Sequence, residues 1–592
     1  MNLKTLSITV IACCFIASCT QSNDEYASDQ AAADKVYING KVYTVNTAQP
    51  WADAVAIADG KIVFVGDDQK ATDFIGKNTN VVDMQGGMLL PGFQDAHVHP
   101  LEGASLETFM GCDLTTVGND RNPENWVDYL QQCKSMVFPH DWVLGGGHDM
   151  ADLLSLQRHP KLVLDDIFGD MPVAFMEKSS HSMWVNSAAL KRAGITKDTP
   201  NPQGGIIFKD PITKEPTGIL SDSAGDELMH LALVNTPQLE QARYEALLAS
   251  QDYMVSYGIT SATNARLYWN RGNHLPWLRA EEEGTLKTRS IMALWTYPHM
   301  DDDYQLAQLK SMFADNKNSL LRWSMVKFYS DGVVSNNSAA VTEEYNYLIH
   351  PDSKPLGLNY FSQARMARYI TELEKYGFYV HIHALGDRGI RESLNAIEIA
   401  RKNNPELAGI RRHQVTHLSV MRESEISRFA ELDVTANFQV NYPLDFLVQP
   451  IKENIDYDNV SISDEDFWYK ILGPIDVLFL PVIEVLKANG RVVLSSDWDV
   501  ADINPLVSIA NIASLTKSGM THGELVAFGI KAYTLNAAYV MGHDDMTGSI
   551  EVGKYADLAL LNNNIFELDY EHISKAKVMQ SLLEGRVVYQ RE

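Results

Sequence analysis

Positive charge is scarce in this chain. Across 592 residues, 49 Lys and Arg stand against 76 Asp and Glu, a formal charge of −27 with a pI near 5.0. That balance argues against nucleic acid as a partner, because its phosphates demand a basic surface. The acidity reads as a solubility feature. Cysteine is scarcer still: Cys13, Cys14, Cys19, Cys112 and Cys133 are all there are. Neither Cys112 nor Cys133 has a second thiol nearby in sequence, so neither reads as a zinc ligand. Long apolar runs are missing too, and the N-terminal one, Leu6 to Ile16, is too short to span a bilayer. There is no internal repeat and no low-complexity tract. What is present is 45% hydrophobic, enough chain for a large core and more than one domain.

The short apolar run follows Lys4 and ends in Ile16-Ala17-Ser18-Cys19, the layout of a bacterial lipoprotein signal. Residues 1–19 are expected to be that signal, with Cys19 lipidated and the membrane engaged only through it. Ordinary signal-peptidase cleavage nearby is the alternative. Thr20, rather than an aspartate, resembles the outer-membrane sorting pattern of Gram-negative lipoproteins. Residues 20–34 are polar and read as a tether. The expected location is the cell envelope, lipid-anchored at the outer membrane or its periplasmic face. No twin arginine is present, so export of an unfolded chain is expected, with metal acquired outside the cytoplasm. In an oxidising compartment Cys112 and Cys133 could pair, but their separation in sequence leaves that open.

Chemistry begins at Leu89-Leu90-Pro91-Gly92-Phe93-Gln94-Asp95-Ala96-His97-Val98-His99-Pro100. Side chains alternate faces along a strand, so His97 and His99 point the same way, about 6.6 Å apart at Cα. Pro100 ends the strand, since proline cannot donate to a sheet ladder. Four further strands end in ligand-type residues: Ser324–Tyr329 with Lys327 inside it, Tyr379–His383, Arg412–His417, and Arg491–Asp497. The segments between them are long enough for helical returns. A parallel barrel with chemistry at the strands' C-terminal ends is predicted.

These residues resemble the metal-dependent amidohydrolase superfamily, and within it the YtcJ-like branch that includes N-substituted formamide deformylases. The resemblance runs from about Lys35 to the C-terminus. It rests on Leu90-Pro91-Gly92-Phe93 with Asp95-Ala96-His97-Val98-His99, on His181-Ser182-Met183-Trp184-Val185-Asn186-Ser187, and on Val326-Lys327 with Asp331-Gly332. His383-Ala384 with Gly386-Asp387, Ser496-Asp497-Trp498, and Gly548-Ser549-Ile550 continue it. The resemblance implies an α/β fold, a distorted TIM (β/α)8 barrel over 91–545, with a small β-sandwich from both chain ends, 35–90 and 546–592. Within that frame, Asn39-Gly40, Asp59-Gly60 and Glu584-Gly585 read as hairpin turns. The barrel exceeds the typical ~250 residues, so large insertions are expected, chiefly between Leu101 and Gly258.

The same resemblance implies the ligand set. His97 and His99 would hold the more buried ion, and His383 and His417 a second. Asp497 would bind a metal and accept the proton of its water. His381 and His413, by even spacing, share the faces of His383 and His417. His413 lies about 13 Å deeper than His417, fitting a hydrogen-bonded core residue. Lys327 is costly to bury as a lone ammonium. Its neutral amine could add carbon dioxide to give a bridging carbamate, as in several branches of the family, whereas an ion pair with Asp331 is the alternative. His181, Trp184 and Asn186 read as an early strand and the turn after it, with His181 a catalytic candidate that orients substrate. Ser179-Ser180-His181 departs from the family's usual Asp-Gly-His, which bears on substrate contacts. His148 and Asp149 are candidates for the pocket rim.

The expected reaction is hydrolysis of a small-molecule, non-peptide amide, an N-formyl or N-acyl amine, by water activated on one or two divalent ions, zinc by default. A cyclic amidase, deaminase or lactonase is the alternative within the superfamily, and an inactive ligand-binding lipoprotein is the alternative outside it. Oligomeric state is not legible.

Overall fold

The computed structural model describes residues 32–442 and 467–592, apart from residues 119 and 137. The signal and most of the tether lie outside the described residues. Among those described, no helix is long and apolar enough to cross a membrane.

Eight parallel strands form the central sheet: β1 Phe93–Val98, β2 Ile259–Leu267, β3 Arg289–Trp295, β4 Leu321–Tyr329, β5 Tyr379–Ala384, β6 Gln414–His417, β7 Thr435–Phe438 and β8 Val492–Leu494. Each pairs with the next in chain order. All nine residues of β4 are buried, as expected for a parallel strand covered on both faces. The last strand meets the first just beyond the ladder. Asp497 N–H donates to His97 O at 2.9 Å, and His99 N–H to Trp498 O at 2.5 Å. Asp95 ties the same seam from below, accepting Ser496 N–H at 3.2 Å. The result is a nearly closed eight-stranded barrel.

The chain ends build two further sheets. A six-stranded sheet runs in the order Arg586–Gln590, Val578–Leu583, Leu558–Leu561, Met88–Pro91, Lys41–Tyr43, Trp51–Ala52, so both termini contribute. A four-stranded sheet holds Lys35–Ile38, Ala54–Ala58, Lys61–Gly66 and Asn80–Asp83. One apolar cluster takes Tyr37 and Ile57 from the second sheet and Leu89 and Leu558 from the first. Asp59-Gly60 and Glu584-Gly585 are hairpin turns. Asn39-Gly40 is not, because the strands on either side belong to different sheets. There Gly40 is required by crowding, since a Cβ would lie 2.7 Å from Gly87 O.

Between β1 and β2 the chain inserts another six-stranded sheet, from Cys112–Asp113 through Val143–His148, Val173–Glu177, Ser182–Val185 and Pro216–Asp222 to Gly205–Lys209. Cys112 and Cys133 form a disulfide at its edge, with Cα atoms 5.4 Å apart.

Candidate functional site

His97 turns into the barrel, where its Nδ1 lies 3.2 Å from Thr416 Oγ1, while Gln94 on the same strand bonds Thr547 and His543. His97 Nε2 lies 3.1 Å from Asp497 Oδ1, and His99 Nε2 lies 3.0 Å from the same oxygen. Among the described residues, these three are the only group of three His, Cys, Asp or Glu whose ligand atoms all lie within 4.8 Å of one another. His417 joins them, with Nδ1 3.9 Å from Asp497 Oδ2. His383 follows, its ring centroid 4.4 Å from that of His417. Two of these positions rest on left-handed backbone, at φ +76° for His417 and +57° for Asp497. Such torsions cost energy and persist where the surroundings impose them.

His417 shows what that torsion does. Gln414 and Thr416 face the barrel interior, where they meet His381 and His97. His413 lies on the opposite face and bonds Glu374, at 3.0 Å, on the helix Gln363–Glu374. Even spacing therefore does not place His413 and His417 together. The positive φ of His417 breaks the alternation and sends its ring into the interior.

Lys327 Nζ is buried without a hydrogen-bond partner. The ion pair with Asp331 does not form, because that carboxylate accepts the backbone N–H of Ala340 (2.8 Å), Gly386 (2.9 Å) and Leu385 (3.1 Å). Strand register sets Lys327 beside His381 and Tyr329 beside His383, so the amine sits one layer beneath His383. Burial holds the Lys327 amine far below its usual range, and the nearby guanidinium of Arg266 lowers it further against the opposing pull of Asp497. Burial also keeps His97 and His383 neutral and lowers His417 to about 3. For Asp497, burial alone would raise the carboxyl, but the imidazoles of His97, His99 and His417 outweigh it and hold the group well below its usual range. Neutral His97, His383 and His417 beside an ionised Asp497 are the protonation states a divalent cation requires. The buried, unpartnered His99 Nδ1, His383 Nδ1 and Lys327 Nζ add donors of the same kind. The residues fit such an ion.

His381, which the family motif leaves out of the ligand set in favour of His383, has its Nε2 2.9 Å from His97 Nδ1, with Thr416 Oγ1 3.2 Å from the same nitrogen. It is a positioning residue, fixing the His97 ring so that Nε2 faces Asp497. The sequence carried one usable signal, the spacing of two from His383.

His181 comes from the inserted sheet, in the turn before Ser182–Val185 rather than on a barrel strand. Its Nδ1–H donates to buried Asp222 at 2.7 Å, and its ring lies 5.1 Å from that of His383. Trp184 and Asn186 are structural instead. Trp184 is buried and donates to Pro160 O, and Asn186 caps the helix Ser187–Arg192. His148 and Asp149 do not line the cavity: His148 is buried beside Trp184, and Asp149 pairs with Arg121 and Lys178.

His99, His181, His383, His417 and Asp497 line one cavity of about 290 Å³, whose other wall includes Leu385, Phe479 and Leu480. An apolar wall facing a few convergent polar groups suits a small organic substrate.

Residues 80–589 match the model of the amidohydrolase family. The putative amidohydrolase YtcJ of Bacillus subtilis is 25% identical, over 94% of this chain and 99% of its own. The N-substituted formamide deformylase of Arthrobacter pascens is 24% identical, over 94% and 98%. In three dimensions, an uncharacterized metal-dependent hydrolase from Pyrococcus horikoshii superposes with a TM-score of 0.66 at 19% identity, over 91% of this chain and 99% of its own. With the match extending over most of its length, this chain belongs to the amidohydrolase family, as a metal-dependent hydrolase.

Proposed function

We propose that the protein hydrolyses a non-peptide amide, an N-formyl or N-acyl amine, to a carboxylic acid and an amine. The observation that carries this is the meeting of His97 with His99, Asp497, His417 and His383, the last four lining one cavity, above a buried lysine whose amine has no hydrogen-bond partner. The deformylase relative supports an amide as the bond cleaved. His97, His99 and Asp497 are read as holding one divalent cation, with Lys327, His383 and His417 completing a second site. Zinc suits these donors, and when bound it supplies a water acidified to a pKa of about 7 and a polarised carbonyl. Asp497 takes the proton from the attacking water and passes it to the amide nitrogen. The water oxygen forms the new C–O bond, the C–N bond breaks, and the amine leaves. Lys327, held neutral by burial, can add carbon dioxide with loss of one proton, giving a carbamate whose two oxygens suit paired cations. His181, steadied by Asp222, orients the amide, and the apolar wall excludes water from the acyl group.

The two terminal sheets are read as one β-sandwich beside the hydrolase barrel, and residues 1–19 as a signal that leaves Cys19 lipidated in the cell envelope. The Cys112–Cys133 bond supports an oxidising compartment. The test is metal analysis of the purified protein together with a panel of N-formyl amines, N-acyl amines, hydantoins and lactones, assayed with and without chelator. Stoichiometric zinc and chelator-sensitive amine release are expected. Turnover of lactones or hydantoins alone would overturn the amide reading, and protein purified without metal would overturn the catalytic one.

A further inference from the structure

The cavity wall contains a cation that no carboxylate of the described residues pairs. Arg266, at the C-terminal end of β2, is only 3% exposed. One donor, Nη1, reaches Tyr329 Oη at 3.1 Å, while Nε is buried without a partner. Its guanidinium sits 5.5 Å from the ring centroid of Tyr268. Other buried arginines are provided for. Arg289 pairs with Asp557 at 2.6 Å, Arg411 with Glu374 at 3.0 Å, and Arg243 donates to Arg271 O at 2.8 Å. A buried guanidinium without such partners is strongly destabilising unless something supplies the missing charge. Arg266 lines the same cavity as His99, His383 and Asp497, so a ligand there can supply it.

We propose that Arg266 anchors a carboxylate of the substrate, which makes the substrate an N-acyl amino acid rather than a neutral N-substituted amide. The guanidinium fork matches a carboxylate in shape as well as charge. Tyr329, which Arg266 contacts, stacks on His383 with ring centroids 4.0 Å apart. The anion site therefore adjoins the reacting centre, which favours a carboxylate one carbon from the amide nitrogen over one at a distant end. The acyl chain then takes the apolar wall around Leu385, Phe479 and Leu480. The bond cleaved rests on the amide reading above, whereas the anion site does not.

The test compares N-acetylphenylalanine with its carboxamide, identical but for the charge, on the metal-loaded enzyme. Wild type is expected to favour the carboxylate in kcat/KM by at least about 30-fold, equivalent to ~2 kcal/mol. Arg266→Met should bring that ratio below about threefold, and Arg266→Lys, a point charge without the fork, should fall between. A wild-type ratio near one, or a ratio unchanged in Arg266→Met, overturns the proposal. If neither compound is cleaved, the same pair is compared as ligands by the rise in melting temperature, a readout that does not depend on the bond cleaved. A rise with the acid alone, lost in Arg266→Met, sustains the anion site; equal rises, or none, overturn it.

Discussion

Asp497 offers one carboxylate oxygen to two imidazoles, at 3.1 Å from His97 Nε2 and 3.0 Å from His99 Nε2, and its second oxygen faces His417. Replacing it with Asn keeps the shape and an acceptor but removes the charge and the basic site. Asp497→Asn is therefore expected to retain at least one metal ion while kcat/KM falls by about 10²–10⁴-fold, the usual worth of a positioned general base. Metal analysis alongside steady-state kinetics checks it, and full activity in that variant would remove Asp497 from the proton path. At this scale the sequence was legible at His97 and His99, whose spacing of two brings both rings onto one oxygen of Asp497. It was illegible at His417, whose φ of +76° no local pattern announces. The role of His381 was hidden for another reason: its partner His97 is 284 residues away, and only barrel closure brings the two rings together.

The inserted sheet reaches into the site from outside the barrel, through the turn that carries His181 and the strand that ends at Asp222. Both neighbourhoods are strained, with Ser180 at φ +61° and Asp222 at φ +54°, so they depend on the sheet that holds them. Its far edge is fastened by Cys112, on the strand Cys112–Asp113, to Cys133 on the helix Val127–Ser135. The bond spans 21 residues, and a loop of that size stabilises by about 3 kcal/mol. Replacing both cysteines with serine is expected to lower the melting temperature and to expose 112–135 to limited proteolysis, while the ion bound by the barrel strands stays in place. Unchanged proteolysis would mean the bond does not hold this edge. Glycine turns were legible when both flanking strands shared a sheet, as at Asp59-Gly60. Asn39-Gly40 carries the same local chemistry, yet its strands part to different sheets, a choice made by distant partners.

Across the whole molecule the eight-strand order follows chain order, which is why spaced strand-end ligands sufficed to indicate a barrel. The inserted sheet, and the pairing of Leu558–Leu561 from one end of the chain with Met88–Pro91 from the other, depend on contacts hundreds of residues apart. The layers are also tied by charge. Glu374, on the outer helix Gln363–Glu374, receives His413 Nε2–H from β6's leading edge at 3.0 Å, Arg411 at 3.0 Å and Asn404 at 2.7 Å. Burial would raise this carboxyl, but His413, Asn404 and Arg411 outweigh it and lower it below 4.5, while burial keeps His413 below 6.5 despite the adjacent carboxylate. Both shifts act in one direction. A carboxyl depressed in the folded state stabilises above its unfolded pKa and loses that contribution as pH falls through the folded value, and a buried neutral imidazole resists the charge that acid imposes. Glu374→Gln should therefore destabilise the fold at neutral pH by about 3 kcal/mol, since it leaves Arg411 buried without its counter-charge. The gap in melting temperature between wild type and variant should narrow as pH drops below about 4.5. A gap that stays constant from pH 7 down to pH 3 would show that the ionised carboxylate is not what joins this helix to the barrel.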